Sequence, residues 1–373
     1  MSAIELGLLP FYWRVADQPA GPADPVPERL PFTFEWDETL GLLRQQSQPE
    51  VLAALKQVYA LDENVGYLQE GHALAEAYGA DFMGVLLEAL PHRSRVLEVG
   101  CGGGYILRRL AAMGHSVAGV DPSPVARRAG ADAGFPVTPA FYSEALALDP
   151  QNLIFHYDVL EHTEDPVAFL RAHHAHLAEG GLVVAAVPDC TRNLDAGDPS
   201  MVLHEHLNYF DSQSLGATFT AAGFEPVSIT HSTHGGVLYC VARAGATDTE
   251  ISKAPAARFE DFARKLKTAL GKVAEFIDEG PGEVGIYVPL RALPYLAKAT
   301  IDSARLRFFD DDPGLRGRYL PGCSKAVENL EDLAANPPAR VLVASFSFGE
   351  VIAGRLRERA PGCEVRTLPE LLS

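Results

Sequence analysis

The feature that most constrains the fold of this chain is a glycine-rich turn between a hydrophobic segment and an amphipathic one. Four residues share the spacing E-x-G-x-G-x-G: Glu98, Gly100, Gly102 and Gly104. The preceding RVLEVG predicts a buried strand, the following ILRRLAAMG predicts a helix that ends at Gly114, and SVAGVD predicts a second strand. Glycines allow the backbone to approach a ligand closely. The pattern therefore indicates a βαβ unit with a binding turn.

The alternation of strand and helix patterns continues along the chain. NLIFHYD, GLVVAAVPD, EPVSITH and VLYCVAR predict further strands of a largely parallel sheet with late antiparallel additions. From Val284 a second alternating pattern begins, with GIYV, RLRFF, RVLVAS and EVRTL. We therefore predict an α/β protein, in which a Rossmann-like domain is followed by a second, smaller Rossmann-like α/β domain.

Composition shifts suggest where the parts begin and end. The proline-rich segment 21–31 predicts a connector or surface loop within an N-terminal arm over 1–48. Residues 49–90 have apolar positions at helical spacing, which predicts a helical lid at the start of a ligand-binding domain over 49–245. The C-terminal α/β domain, over 246–373, is expected to lie on the substrate side.

Net charge and cysteine content limit the kinds of partner and the cellular compartment that we expect. The net charge of −18 disfavours nucleic acid, because phosphate backbones are bound by Lys and Arg. Five scattered cysteines predict reduced thiols rather than a disulfide framework or a zinc ribbon. The N-terminus does not resemble a secretory signal and there is no long apolar run, so we expect a cytoplasmic protein that does not bind a membrane.

The acids around the turn favour one ligand class. A dinucleotide site would need a third glycine where Tyr105 or Leu107 stands, so a nicotinamide cofactor is disfavoured. Glu98 suits a ligand with an amino group, and Asp121, after the second strand, suits the two hydroxyls of a ribose. An adenosine that carries an amino acid fits both. The alternative is a purely structural βα loop.

With LEVGCGGGY and GVDPS, the chain resembles the class I S-adenosylmethionine (SAM)-dependent methyltransferases. This resemblance implies SAM as cofactor and a shared set of contacts. The predicted cofactor-binding residues are Glu98, Gly100, Cys101, Gly102, Gly104, Asp121, Pro122, Phe141, Tyr142 and Asp158. Phe141 and Tyr142 lie where such enzymes sandwich adenine, and Asp158 follows the fourth strand.

The segment LHEHLNYFD (203–211) is the strongest candidate for chemistry on an acceptor. It places two imidazoles, a carboxylate and a phenol just before a predicted helix. A carboxylate can raise the basicity of a neighbouring imidazole, as a general base requires. A polar loop that caps a helix is the alternative. Metal binding by His204 and His206 is a third interpretation, but no third ligand is identifiable, so no metal site is predicted.

The remaining histidines are interpreted more simply. His156, within the fourth strand, is expected to be a core histidine with hydrogen-bond partners. A group on the next helix is expected to form a solvated face: His173, His174 and His176. His234, in THGG, is a candidate for the substrate crevice.

A narrower resemblance rests on DVLEHT, HEHLNYF, HGGVLY, RFFDDDPGLRGRYLPG and VLVASFSFGEVI. Together they look like the sugar C-methyltransferase family, which acts on nucleotide-linked keto-deoxysugars. By this resemblance His206, Glu205 and His162 surround the substrate, and His206 removes the proton next to a ketone. Three residues of the C-terminal block would shape the second wall of the cleft: Asp310, Asp311 and Arg318.

The chain also departs from that family. It has no cysteine before Cys101, so the family's N-terminal zinc-binding module is absent from this sequence. Leu203 stands where the family has a tyrosine, and GIYVPLRALPY contains no lysine to meet a diphosphate. These differences indicate that the substrate has changed.

The sequence thus predicts a SAM-dependent methyltransferase that acts on a small molecule by C-methylation of a nucleotide-linked keto-deoxysugar or a related natural-product intermediate. The catalytic residues would be His206, Glu205 and His162. The substrate-binding residues would be Tyr67, His204, Tyr209, His234 and Arg318. O- or N-methylation and a non-catalytic SAM-binding regulatory subunit are the alternatives, and a homodimer is left open.

Overall fold

The computed structural model describes residues 3–13, 15–19, 26–60, 73–90, 93–245, 256–346 and 348–373. In chain order the strands are β1 (Ala3–Pro10), β2 (Arg29–Asp37), β3 (Leu42–Gln45), β4 (Arg95–Val99), β5 (Ser116–Val120), β6 (Val137–Thr138), β7 (Gln151–Tyr157), β8 (Leu177–Pro188), β9 (Asn208–Tyr209), β10 (Phe224–His231), β11 (Val237–Ala244), β12 (Val284–Tyr287), β13 (Leu306–Phe309), β14 (Val327–Glu328), β15 (Arg340–Val343) and β16 (Glu364–Thr367). The α-helices are α1 (Pro49–Ala60), α2 (Ala73–Ala89), α3 (Tyr105–Ala112), α4 (Pro124–Ala133), α5 (Pro166–Arg171), α6 (Thr191–Ala196), α7 (Ser212–Ala221), α8 (Ala256–Asp278), α9 (Pro289–Leu296), α10 (Leu330–Ala335), α11 (Gly349–Arg359) and α12 (Leu368–Leu372).

The central sheet has seven strands in the order β10-β11-β8-β7-β4-β5-β6. Strands β4 to β8 pair in parallel, and β11 and β10 add antiparallel pairings at one edge. This confirms the predicted parallel sheet with late antiparallel strands. The strand order reverses between β4 and β7, and in open α/β sheets a ligand crevice lies outside the carboxyl ends of such strands.

Helix α2 covers one face of this sheet through an aromatic cluster. Phe82, which is fully buried, packs its ring against those of Phe155, Tyr157 and Tyr239 at centroid distances of 5.2–6.0 Å. On the same helix, Asp81 accepts hydrogen bonds from Ser232, Thr233 and Tyr239. These contacts confirm for α2 that the helical region before the glycine-rich turn covers the main sheet. Helix α1 instead packs in a hydrophobic cluster with the N-terminal segment.

The N-terminal segment forms a sheet rather than the arm we expected. β1, β2 and β3 pair antiparallel, and β3 pairs with β9 from the HEHLNYF segment. In β2 the alternate side chains Leu30, Phe32 and Phe34 are buried, which is the two-residue period of a half-buried strand. Proline content indicated a loop up to Pro31, but Pro31 pairs with Leu8 inside the sheet.

The C-terminal sheet has five parallel strands in the order β14-β13-β12-β15-β16. Its first strand, β12, lies at the centre between β13 and β15. The predicted α/β class, with a Rossmann-like domain and a second, smaller α/β unit, is confirmed by this arrangement.

The three sheets meet around residues 203–210. Helix α8 packs Phe259 and Phe262 against the N-terminal sheet, and Val273 and Ile277 against the C-terminal one. A small cavity is lined by residues of all three units: Leu9, Pro10, Tyr12, Val202, Leu203, His204, Leu293 and Pro294. The HEHLNYF segment is thereby held between the cofactor-side sheet and the C-terminal unit. Among the described helices, none combines the length and apolar character that crossing a bilayer requires.

Candidate active site

The glycine-rich turn adopts the conformations that its sequence suggested. Gly100, Gly102 and Gly104 all have positive φ, of 74°, 43° and 69°, which L-amino acids with a side chain rarely adopt. A Cβ atom on Gly100 would lie 2.5 Å from Val159, and one on Gly104 would lie 2.6 Å from Phe135. Gly104 is also the N-cap of α3. The turn therefore favours glycine at all three positions for conformation, and at Gly100 and Gly104 also for space.

Glu98 lies at the end of β4 beneath the turn. It is 5% exposed, and its Oε2 has no hydrogen-bond partner among the described residues. Burial, and then the nearby Asp121, raise the pKa of this carboxyl well above its usual value. A buried carboxylate oxygen without a partner is costly unless a donor reaches it. A ligand ammonium group is such a donor, so Glu98 fits the amino acid end of SAM.

Asp121 follows β5 and holds the two loops at the crevice together. Its Oδ2 accepts the Gly102 N–H at 2.9 Å, and its Oδ1 accepts the Ser123 N–H at 2.7 Å. Each carboxylate oxygen can accept a second hydrogen bond, so Asp121 can still receive ribose hydroxyls. Pro122, which follows it, is exposed. The buried acid, the three glycines and Asp121 together fit an adenosine with a charged tail.

Other predicted cofactor contacts differ in where their side chains lie. Cys101 is buried, and its sulfur packs under Gly119, where a Cβ atom would approach it to 2.5 Å; only its backbone remains for a ligand. Phe141, in the loop after β6, is 65% exposed. Tyr142 instead turns inwards, and its hydroxyl lies 2.9 Å from His176 Nδ1. Phe141 is thus the one of the two aromatic residues with a free ring face.

Only one of the three histidines expected on a solvated face is exposed. His174 is exposed and stacks on Phe224 at 4.1 Å, whereas His173 and His176 are buried, at 0% and 2% exposed. His156 is fully buried as predicted, but neither ring nitrogen has a hydrogen-bond partner in the described part of the chain. We expected a continued helix here, but residues 172–175 form a 3-10 turn. The side chains of His173 and His176 therefore do not follow the helical spacing on which the prediction of a solvated face rested.

A second group of side chains lies at the carboxyl end of β7. Asp158 has φ of 53°, a strained conformation for a non-glycine residue. Glu161 and His162 follow in a short 3-10 helix, where Glu161 is 1% exposed. Burial raises the pKa of Asp158 above its usual value, and burial and Asp158 raise the pKa of Glu161. Two acids are therefore held beside each other at the predicted edge of the sheet.

The HEH segment reaches this group through its backbone. The Leu207 N–H donates to Glu161 O at 2.7 Å, and His162 Nδ1 lies 2.8 Å from Glu205 O. The rings of His162 and His206 are 5.0 Å apart and nearly perpendicular. The structure thus brings together all three residues predicted to be catalytic.

The electrostatics of His206 differ from the sequence-based reasoning. We expected a neighbouring carboxylate to raise its basicity, but burial, His162 and Arg291 lower its pKa well below the usual value. Burial also lowers the pKa of His162 to about 4, while it raises the pKa of Glu205 to about 7. Among the described residues, Glu205 contacts His162 through its backbone carbonyl and not through its side chain. Both imidazoles are therefore uncharged at neutral pH.

Two residues predicted to bind substrate are structural. His204 is 2% exposed, its Nε2 lies 3.2 Å from Leu30 O, and its ring packs edge-on against Phe11 and Phe32. Tyr209 is fully buried, and its hydroxyl donates to Leu203 O at 3.3 Å. The N-terminal sheet covers this side of the segment, so neither side chain faces the crevice.

The other substrate candidates are not brought to the same pocket. His234 is exposed in the loop before β11, and its ring contacts Tyr78. Arg318 is also exposed, with its Nε 3.5 Å from Asp17. Tyr67 lies outside the described residues. Asp311 is engaged by the Tyr287 hydroxyl and by Arg355.

Sequence reasoning missed several residues of the pocket. Glu161 precedes His162 in the same motif but was not singled out. The Tyr59 hydroxyl, from α1, lies 3.4 Å from His162 Nδ1. Tyr12 lines the small cavity between the HEH segment and the C-terminal unit, and burial and then Glu205 raise its pKa. Only the adjacency of Glu161 to His162 was a signal available in the sequence.

The glycine-rich turn, Glu98 and Asp121 lie at the crevice beside β4 and β7. Together they fit SAM as the ligand of this α/β domain. Residues 71–229 match the family described as "Methyltransferase domain". This match confirms the predicted class I SAM-dependent methyltransferase domain, for which SAM is the cofactor.

Individual relatives agree with this class. Residues of this chain are 35% identical over 102 positions to a protein named ubiquinone biosynthesis O-methyltransferase from Ruegeria pomeroyi, covering 25% of this chain and 40% of that protein. A protein of the same name from Methylobacterium nodulans is 36% identical over 107 positions, with coverages of 27% and 41%. The chain therefore spans about two fifths of the length of these relatives.

Two solved structures with bound SAM or S-adenosylhomocysteine are also similar to part of the chain. The 1,6-didemethyltoxoflavin-N1-methyltransferase of Burkholderia thailandensis gives a TM-score of 0.42 at 16% identity, covering 61% of this chain and 99% of that one. The complex of DhpI with SAM gives a TM-score of 0.42 at 21% identity, with coverages of 53% and 100%.

Proposed function

We propose that this chain transfers the methyl group of SAM to a small-molecule acceptor bound between the glycine-rich turn and the Glu161–His206 pocket. The observation that carries this proposal is that the HEH segment contacts the turn after β7, the strand that pairs with β4 and so lies next to the glycine-rich turn. When bound, SAM supplies an electrophilic methyl group on a sulfonium ion. The chain's own residues then need to position the acceptor and remove its proton.

We assign to Glu205 the role of the general base that removes the proton from the acceptor. Its side chain is half-buried, and burial raises the pKa of its carboxyl to about 7, close to the pH at which a general base works. The Glu205 backbone carbonyl lies 2.8 Å from His162 Nδ1, and His206 follows Glu205 in the chain. These two imidazoles would orient the acceptor. The proton passes from the acceptor to Glu205, the acceptor atom bonds to the methyl carbon, and the electron pair of the broken S–C bond stays on sulfur.

The finer proposal is C-methylation of a nucleotide-linked keto-deoxysugar, or a related natural-product intermediate, through an enolate. It is supported by the HEH segment and by the C-terminal α/β unit that adjoins it. O-methylation is the second candidate, because the curated relatives named above carry that activity in their names. We further propose that residues 49–245 form the SAM-binding domain and residues 246–373 the C-terminal domain on the substrate side.

Two measurements test it. Transfer of a ¹³C-labelled methyl group, read by NMR, should place the label on a carbon next to a ketone; a label on oxygen selects the second candidate. Solvent deuterium should enter that carbon in the wild type, and exchange should fall at least about tenfold in Glu205→Gln. Glu164→Gln, at an exposed position nearby, is the matched control. Full exchange in Glu205→Gln together with loss in His206→Ala would return the base role to His206.

A further inference from the structure

Three side chains near the proposed acceptor site are arranged as metal ligands could be. One donor atom each from Glu161, His162 and His206 lies within 4.8 Å of the other two. Glu161 Oε1 and His162 Nε2 are 3.8 Å apart. Ligand atoms bound to one metal ion at about 2.0–2.2 Å lie roughly 3–4 Å from each other. The cluster is therefore close to the spacing of a coordination sphere.

The buried carboxylate of Glu161 is the strongest indication of a cation site. It is 1% exposed, and neither carboxylate oxygen has a hydrogen-bond partner among the residues described. Within the same ranges its side chain has no lysine or arginine ion pair. A buried carboxylate in this state is strongly unfavourable unless it is paired or coordinates a metal.

His162 is already oriented as a ligand. Its Nδ1 faces the Glu205 carbonyl oxygen at 2.8 Å, and a carbonyl can only accept, so Nδ1 carries the hydrogen. The lone pair is then on Nε2, the atom nearest to Glu161. A metal-bound histidine commonly donates its other N–H to a carbonyl in this way.

The backbone keeps the three ligands in register. Glu161 O accepts the Leu207 N–H at 2.7 Å, and the Asn208 side chain donates to Leu160 O and Thr163 O. The turn that carries Glu161 and His162 is thereby tied to the segment that carries His206. These contacts fix the relative positions of the two segments that carry the ligands.

We propose that Glu161, His162 and His206 bind one first-row divalent transition-metal ion. Two imidazoles and one carboxylate suit Zn²⁺, Fe²⁺ or Mn²⁺ and leave coordination positions open. Resting on the proposed function, the open positions would hold the carbonyl or hydroxyl oxygen of the acceptor, next to Glu205. Sequence reasoning considered a metal at His204 and His206 but lacked a third ligand; the structure places His204 in the core and supplies Glu161 and His162.

The test uses the full chain after chelator treatment, with Zn²⁺ as the probe. Calorimetry and elemental analysis should find one equivalent bound by the wild type. Glu161→Gln and His206→Ala should each weaken binding at least about 100-fold. His231→Ala, which removes a histidine that is 61% exposed and outside the cluster, should bind like the wild type. Binding of S-adenosylhomocysteine by each variant shows that it is folded.

Several outcomes decide between the proposals. No bound Zn²⁺ in the wild type, or equal binding by folded Glu161→Gln and His206→Ala, overturns the metal site. Metal binding is measured without acceptor, so a site that binds Zn²⁺ in a chain that transfers no methyl group contradicts the proposed function alone. A metal-free chain that methylates at the full rate overturns the role of the ion in holding the acceptor.

Discussion

Replacing Glu98 by glutamine separates ligand binding from folding at the cofactor turn. The variant keeps the size of the side chain but removes the charge that would receive the ligand's ammonium group. A hydrogen bond to a charged group contributes about 1.5–3 kcal/mol, and 1.4 kcal/mol corresponds to tenfold in affinity. Glu98→Gln should therefore weaken S-adenosylhomocysteine binding by about 10- to 150-fold.

The same variant should not lose stability. Burial raises the pKa of Glu98 in the folded chain, so ionising it opposes folding once the pH exceeds the carboxyl's ordinary pKa. The stability of the wild type should fall as the pH rises from that value to the raised folded value, and then stay level. Glu98→Gln removes this slope. Its free energy of unfolding at neutral pH should equal or exceed that of the wild type.

Isothermal titration with S-adenosylhomocysteine measures the affinity, and urea unfolding at several pH values measures the stability. Glu179→Gln, at an exposed position on β8, is the matched control and should change neither. Unchanged affinity in Glu98→Gln, or an equal loss in Glu179→Gln, would refute the assigned contact.

Three further predictions follow from single contacts. Asp121→Ala should weaken S-adenosylhomocysteine binding at least about tenfold by calorimetry, because it removes both the ribose acceptor and the partners of two loop N–H groups; wild-type affinity would contradict this. Tyr295→Phe should lower the free energy of unfolding by about 1.5–3 kcal/mol in urea, because its hydroxyl donates to fully buried Asp198; an unchanged midpoint would argue against that bond. His204→Ala should lower thermal stability and leave S-adenosylhomocysteine affinity unchanged, since its ring packs in the core; a loss of affinity in a stable variant would restore a ligand role.

The cofactor turn was predictable from sequence because its constraints are local. Positive φ at Gly100 and Gly104, and the acid before them, are set within one βαβ unit. The second α/β unit was also visible, since each of its strands is a short apolar run with turn residues on either side. Local chemistry and backbone geometry point to the same answer in both cases.

The acceptor pocket was only partly predictable because long-range packing decides which side chains face it. The HEH segment was recognised by its density of polar groups. His204 and Tyr209, however, are buried against the N-terminal sheet, which was not predicted because the proline-rich segment indicated a loop. Burial then made His206 less basic, whereas its sequence neighbour had suggested the opposite. Tyr59 and Tyr12 reach the pocket from residues more than a hundred positions away, which no local pattern shows.

The central claim is that the socket of Glu98, three glycines and Asp121 binds SAM. Equilibrium dialysis of the full chain against radiolabelled SAM tests it without knowledge of the acceptor. The account predicts one molecule bound per chain, displaced by S-adenosylhomocysteine but not by NAD. Absence of bound label, or displacement by NAD, would contradict it.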